Sequence, residues 1–296
     1  MQPSAAASFP SIHFSRGGWL YSFSVLAVMS AMGCASSLTT LQPARTVPAG
    51  HVQAVTSVSV TPPIGLAEDT WDALHELADG AEISSASDAE EMAELATMAL
   101  VQPPSLDARF ALGIGLAKRL EIGGRVSGSM AGGGFRLQWL RRRPGIYGAI
   151  GANVDYAFNA FPLERITDRV DVQRFRRIDY SVPLTLGYSR KRFHFWAGPK
   201  LVISTFDARV GVCLDSNDGC GQQAVLRARG RARYYAGQVG LAFGSERFWI
   251  AVEMTIARAR IEADLEMDMP RRDTMSARSV FEGRVVTPAI GLMLWI

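Results

Sequence analysis

From residue 50 to the C-terminus, apolar and polar residues alternate at period two. That spacing marks strands with one dry and one wet face. Between Arg119 and Gly128, Leu120, Ile122, Gly124 and Val126 share one face, while Arg119, Glu121, Arg125 and Ser127 share the other. Such segments recur at 50–61, 107–116, 119–129, 134–142, 145–158, 178–189, 192–209, 224–243, 246–266 and 278–296, giving ten expected strands. Short connections near 117–118, 142–144, 190–191 and 244–245 alternate mostly with long ones at 62–106, 159–177, 210–223 and 267–277; the one near 130–133 is short. An even strand number with short turns at one end and long loops at the other predicts an up-and-down antiparallel transmembrane β-barrel.

The apolar face changes sides along several strands. A two-residue hairpin at Gly244-Ser245 would pair Phe243 with Glu246, Leu241 with Phe248 and Val239 with Ile250. The outward face, apolar there, then turns basic through Arg233, Arg231, Arg229 and Arg227, while Ala232, Gly230, Ala228 and Leu226 turn inward. The strand from Phe193 and the last strand behave alike. About nine residues at ~3.3 Å rise and ~40° tilt span ~23 Å, close to the ~25 Å apolar band of membrane barrels. The expected picture is a barrel that projects beyond the membrane as a dry neck. A soluble lipocalin-like barrel would leave Phe193, Phe195, Leu241, Phe248 and Ile250 in water.

At membrane level the inward face carries Arg109, Glu121, Arg125, Arg136, Asp155, Asp179, Lys200 and Glu253. In a narrow ten-strand interior these are expected to form a salt-bridge network that occludes the lumen. The register above sets Arg229 against Arg260 and Arg231 against Arg258, like-charge pairs that cost stability. An anion is expected to relieve them, and the lipopolysaccharide phosphates just above the band suit Arg227, Arg229, Arg231, Arg233, Arg258 and Arg260. A solvated face, or pairing with the acidic insertion, are the competing readings.

Residues 62–106 interrupt the strand pattern. They contain ten acidic residues and no Lys or Arg. Apolar stripes through Trp71, Leu74 and Leu77 and through Met92, Leu95 and Ala99 predict two helices, on the external mouth or as an acidic lid. Composition sharpens this. Of the 296 residues, 48% are hydrophobic and 20% charged, yet no apolar run after the N-terminal region is long enough for a helical span. The net charge of +3 conceals a cancellation, since the insertion contributes −10 and the remainder therefore +13.

The N-terminus has Arg16, an apolar stretch over Trp19–Met32 and then Gly33-Cys34, the form of a secretory signal over residues 1–33. Ser30-Ala31-Met32-Gly33-Cys34 resembles the lipobox of bacterial lipoproteins, which implies cleavage before Cys34 and a lipid anchor on it. Residues 34–49 read as a periplasmic tether and 50–296 as the barrel, which puts the lipid on the short-turn side. In an exported protein, Cys213 and Cys220, closing a short polar loop, predict a disulfide.

Asp179-Tyr-Ser-Val-Pro-Leu-Thr-Leu-Gly-Tyr188 followed by Phe195-Trp-Ala-Gly-Pro-Lys-Leu201 resembles paired strands of bacterial outer-membrane β-barrel domain proteins, and Thr39-Thr-Leu-Gln-Pro-Ala-Arg-Thr46 is similar to the tethers of their lipoprotein-type members. The resemblance implies a fold and a location, the cell outer membrane reached through its insertion machinery, but no reaction.

Catalytic chemistry is thin. Of the four histidines, His13 lies in the signal, His51 and His194 near the short turns, and only His75 on the external side. No metal site, cofactor, catalytic residue or nucleic-acid partner is expected. The expected role is structural or surface interaction at the outer membrane, with a small gated channel or transport component as the alternative and a lipid-modifying enzyme as a less favoured one.

Overall fold

A computed structural model describes residues 38–62, 97–98, 101–103, 105–142, 145–158, 170–213, 223–245, 247–268 and 274–296. Ten strands form one closed antiparallel ring: β1 (Val52–Thr61), β2 (Ser105–Ala117), β3 (Leu120–Ser127), β4 (Met130–Arg142), β5 (Ile146–Ala157), β6 (Val170–Arg190), β7 (Phe193–Cys213), β8 (Gln223–Gly244), β9 (Phe248–Asp268) and β10 (Met275–Trp295). Each strand pairs with its sequence neighbours, and β1 closes the ring on β10, as Gln53 opposite Trp295 shows. Closure leaves no sheet edge over the paired length.

Strand β9 alternates without a break between exposed and covered positions over all its 21 residues. Its outward side chains are Phe248, Ile250, Val252, Met254 and Ile256, then Arg258, Arg260, Glu262, Asp264 and Glu266. Its inward ones begin with Trp249, Glu253 and Thr255 and continue as Ala257, Ala259, Ile261, Ala263 and Leu265. The inversion of polarity is therefore real and needs no bulge.

Among the described residues, however, the strands of the neck do not make a closed tube. Strands β6–β10 run 21 or 22 residues, whereas β1–β5 run 8 to 13. Beyond the apolar band, among the described residues, only the strands β6–β10 continue, as a curved wall. Phe206, Val210, Leu226, Ile261 and Leu265 on its inner face are buried together with Leu38, Met98 and Val101. Most of the expected helical insertion at 62–106 lies outside the described residues. Thr97, Met98 and Val101 are helical and buried, with Gln102 N donating to Met98 O at 2.8 Å.

Two boundaries shift for readable reasons. β4 begins at Met130 because Ala131 and Gly132 pair with both β3 and β5, so the turn falls at 128–129. β6 begins at 170 rather than 178. Its upper part, with Arg174 and Arg176 outward and Phe175 and Arg177 inward, is another segment whose charged side faces out.

Candidate functional site

The eight expected lumen residues all lie on the inner wall, but their partners differ from a simple four-and-four pairing. Arg136 meets Glu121 at 3.2 Å, and Arg125 meets the carboxylate of Asp155 through both Nε and Nη2. Asp179 is held by Arg177 at 3.1 Å and by the Ser204 hydroxyl, and Arg109 by Asp107 at 3.1 Å. Arg177 and Asp107 were not legible as lumen residues, because the expected strands began at 178 and 107, whereas β6 starts at Val170 and β2 at Ser105.

The Arg125–Asp155 pair spans three strands. Gly132 stands between them, opposite both, and a Cβ there would lie 2.1 Å from Asp155 Oδ1. Gly132→Val is therefore expected to break the pair and cost about 2 kcal/mol by overpacking. Urea titration followed by heat-modifiable gel migration measures it, and an unchanged midpoint would contradict this geometry.

The largest correction concerns residues 38–49. They are not a tether below the barrel. Leu38, Thr39, Thr40, Leu41, Ala44, Thr46 and Val47 are buried, and the segment climbs the lumen as an internal strap. At its foot, Gly50, with φ +77°, turns the chain into β1, and Gly50 N donates to Gly115 O at 2.9 Å. Val47 N then donates to Glu121 Oε2 at 3.0 Å and Thr46 N to Gln138 Oε1 at 3.3 Å. Higher up, Arg136 donates to Pro43 O, and Thr40 N donates to Glu253 Oε1 at 2.9 Å. Arg109 donates to Thr39 O at 2.8 Å and Lys200 Nζ to Leu38 O at 2.6 Å. The wall charges thus satisfy an irregular backbone that has no ladder of its own. Glu253 also accepts from Trp196 Nε1 at 3.0 Å, so Lys200 and Glu253 each bind the strap.

This arrangement changes the expected position of a lipid. Lys200 lies seven residues up β7 from Phe193, a rise of ~18 Å. Cys34 is four residues beyond Leu38, at most ~14 Å of chain. While Lys200 holds Leu38, the main chain at Cys34 does not reach back down to the short-turn end, where the sequence reading put it. Cys34, the signal over 1–33, His75 and the Cys213–Cys220 pairing themselves lie outside the described residues or side chains.

Beside the strap remains a cavity of about 30 Å³ lined by Thr40, Gln42, Gln53, Arg125, Arg136 and Asn153, among others. A volume of that size has room for one or two waters and is too small to be a conduction path.

The short-turn end carries a second cluster. His194 is buried, 4.0 Å from the Trp249 ring centroid and 6.1 Å from that of Trp295. Arg45 of the strap lies over Trp295 at 5.2 Å and Tyr147 at 6.0 Å, within reach of cation–π attraction. Ser189 hydrogen-bonds His194 Nδ1 across the β6–β7 hairpin. Sequence spacing missed this Ser–His pair, since the two residues meet only through strand register. His194 Nε2 has no partner among the described residues, so no carboxylate orients the ring as a nucleophilic triad requires. No group of three or more His, Cys, Asp or Glu placed to hold a metal occurs among the described residues.

Outside, the β8–β9 register differs from the expected hairpin. Phe243 faces Ile250, not Glu246, and Leu241 faces Val252. A slip of four positions keeps every face, so alternation alone did not detect it. Charge would have: the observed register sets Arg227 against Glu266, Arg229 against Asp264 and Arg231 against Glu262. The expected clashes Arg229–Arg260 and Arg231–Arg258 do not exist. Arg227 reaches Asp268 at 3.5 Å and Arg229 reaches Asp207 at 3.7 Å, so these two have protein carboxylates beside them.

No protein-family model matches this chain, and no curated protein does. Among solved structures it is similar to the outer membrane protease OmpT from Escherichia coli, with 12% identity, 88% of this chain and 100% of that chain covered, and a TM-score of 0.45. It is also similar to the RagAB peptide transporter, with 7% identity over 81% of this chain and 40% of that one at a TM-score of 0.32. The ferric yersiniabactin uptake receptor FyuA from Yersinia pestis gives 9% identity over 82% and 44% at a TM-score of 0.26. These likenesses are too distant to argue from, and the reading of this chain rests on its own geometry.

Proposed function

We propose that this protein is an outer-membrane β-barrel that its own N-terminal strap keeps closed, with a structural or surface-interaction role. The observation that carries this reading is the buried strap, bonded through its backbone to Arg109, Glu121, Arg136, Lys200 and Glu253. The membrane reading rests on the outward band. Phe248, Ile250, Val252, Met254 and Ile256 on β9, and Ile290, Leu292 and Leu294 on β10, are all exposed and apolar. Over nine residues they rise ~23 Å, the height of a bilayer-facing band. Such a surface in water would aggregate. Export through the signal over residues 1–33, lipid on Cys34, a Cys213–Cys220 disulfide and assembly by the outer-membrane insertion machinery belong to the same reading. The long-loop end would then face outward and present the acidic insertion, whose buried end at Met98 and Val101 is tied down by Arg177 donating to Val101 O at 3.0 Å.

The gated-channel alternative needs the strap to leave the lumen. The test is membrane fractionation with heat-modifiable migration, followed by planar-bilayer recording of the purified protein. The expected result is an outer-membrane, heat-modifiable protein with no steady conductance. Reproducible single-channel steps from the unmodified protein would contradict closure.

A further inference from the structure

The corrected register moves the like-charge contacts rather than abolishing them. Arg233 stands directly opposite Arg260, and Arg258 directly opposite Arg284. These four arginines occupy adjacent outward positions on β8, β9 and β10, immediately above the last apolar residues, Ile256 and Val286. Glu282 serves two of them, at 2.9 Å from Arg258 and 3.2 Å from Arg260, and Arg260 also meets Glu262 at 3.1 Å. Arg233 and Arg284 form no ion pair among the described residues, and neither does the neighbouring Arg231. Like charges set opposite each other across strands are destabilising, so this edge of the band holds positive charge that the described protein leaves unanswered.

Directly below, on the same outer face, lies an apolar groove of about 490 Å³. Val239, Met254, Pro288 and Val60 form its upper row, and Leu241, Val252, Ile290 and Val58 the lower. Between the groove and the arginines come Gly237, where an added Cβ would meet nothing within 4 Å, and then the exposed Tyr235, directly opposite Arg258. The groove therefore continues upward through a notch at Gly237, beside Ile256, as far as Tyr235, which borders the guanidinium groups. Its volume falls within the roughly 300–1,000 Å³ of small-ligand sites. Apolar walls below, and above them four guanidinium groups of which Arg258 and Arg260 share Glu282 while Arg233 and Arg284 have no carboxylate among the described residues, are the two halves of an amphiphile site. Arginine matches phosphate with paired, charge-assisted hydrogen bonds.

We propose that the β8–β9–β10–β1 face is a binding site for one phosphorylated glycolipid of the outer leaflet. Acyl chain fills the groove past Gly237, and Arg233, Arg258, Arg260 and Arg284 bind the headgroup phosphate. The site rests on the outer-membrane reading, because the long-loop end of the band must face the leaflet that contains lipopolysaccharide. Compared with the arginine row read from sequence, it omits Arg227, Arg229 and Arg231, which stand higher on β8 opposite Glu266, Asp264 and Glu262, and gains Arg284 and an apolar floor.

The test uses the full chain in phosphatidylcholine nanodiscs containing either hexa-acylated lipid A or phosphatidylglycerol, with retained lipid counted by native mass spectrometry after mild delipidation. Two variants separate the halves of the site: Arg258→Ser with Arg284→Ser for the headgroup, and Gly237→Trp for the notch. Insertion into nanodiscs with heat-modifiable migration tests the membrane reading separately. If the protein fails to insert, that reading fails before the site is probed. For an inserted protein, the wild type is expected to retain one lipid A in preference to phosphatidylglycerol. Each variant is expected to retain at least about tenfold less, the arginine variant through loss of charge-assisted contacts and Gly237→Trp by filling the notch. Equal retention of the two lipids by the wild type would mean an ordinary lipid annulus and overturn the proposal. Unchanged retention in either inserted variant would overturn it as well. So would an arginine variant that keeps its lipid but melts earlier in detergent, since its arginines would then serve the protein's own acidic residues.

Discussion

Arg136→Leu is expected to destabilise the folded barrel by roughly 3–5 kcal/mol, the usual consequence of stranding one member of a buried ion pair. Glu121 would lose its ion-pair partner on a wall where its side chain is only 5% exposed. It would keep one donor in the strap, Val47 N at 3.0 Å, while Pro43 O would lose Arg136. Adding Glu121→Leu removes the stranded charge and is expected to recover most of the loss. Recovery stays incomplete, because Val47 N and Pro43 O then both lack partners inside the barrel. The urea midpoint of heat-modifiable migration reads all three variants. A double variant no more stable than Arg136→Leu alone would mean that the pair is not what the wall depends on.

Gly115→Leu is expected to have the largest effect on the strap. A Cβ at Gly115 would sit 2.1 Å from Pro48 O and 2.6 Å from Val47 O. Both are backbone atoms, with no flexible side chain to give way. The same glycine exchanges hydrogen bonds with the strap's foot, Gly50 N to Gly115 O at 2.9 Å and Gly115 N to His51 O at 3.1 Å. The foot must move, and the strap above it loses the anchor that turns it into β1. The variant is expected to fold as a ring, since β1–β10 pairing lies elsewhere, while the strap becomes accessible. Protection of a cysteine placed in the strap should fall by a factor of ten or more, a change of at least ~1.4 kcal/mol in its opening equilibrium. A strap as protected as in the parent protein would show that Gly115 is not its foot.

These two variants probe what was least legible in the sequence. The strands were readable because a side-chain period of two holds without interruption where one face meets lipid and the other the lumen; β9 preserves it from Phe248 to Asp268. The inversion from Ile256 to Arg258 was readable for the same reason. Register was not, because a slip of four leaves each residue on its proper face. The complementary charges Arg229 and Asp264, now opposite each other, were the signal that could have decided it. The strap was hidden for a different reason. A short, polar, proline-containing segment after an expected lipidation site has the composition of a linker. Yet Leu38, Leu41, Ala44 and Val47 place an apolar residue at every third position, and all four are buried. The charged lumen was a second clue. Lys200 and Glu253 were expected to find charged partners, and each instead uses a strap backbone group, which no residue pattern displays. The full-height neck was inferred from strands that do extend, β6–β10, and did not allow for the shorter β1–β5.

Whether residues 38–49 occupy the lumen can be measured directly. Ala44, 2% exposed, is replaced by Cys in a chain whose Cys34, Cys213 and Cys220 are Ser, and labelling by a bulky maleimide is followed before and after heating. A second chain with Lys118→Cys, in an exposed turn, gives the rate for an open site. The strap predicts that Ala44→Cys stays unlabelled in the folded, unheated barrel and labels fully once heated, while Lys118→Cys labels at once. Labelling of Ala44→Cys at the rate of Lys118→Cys in the folded protein would contradict the internal strap, and with it the closed lumen.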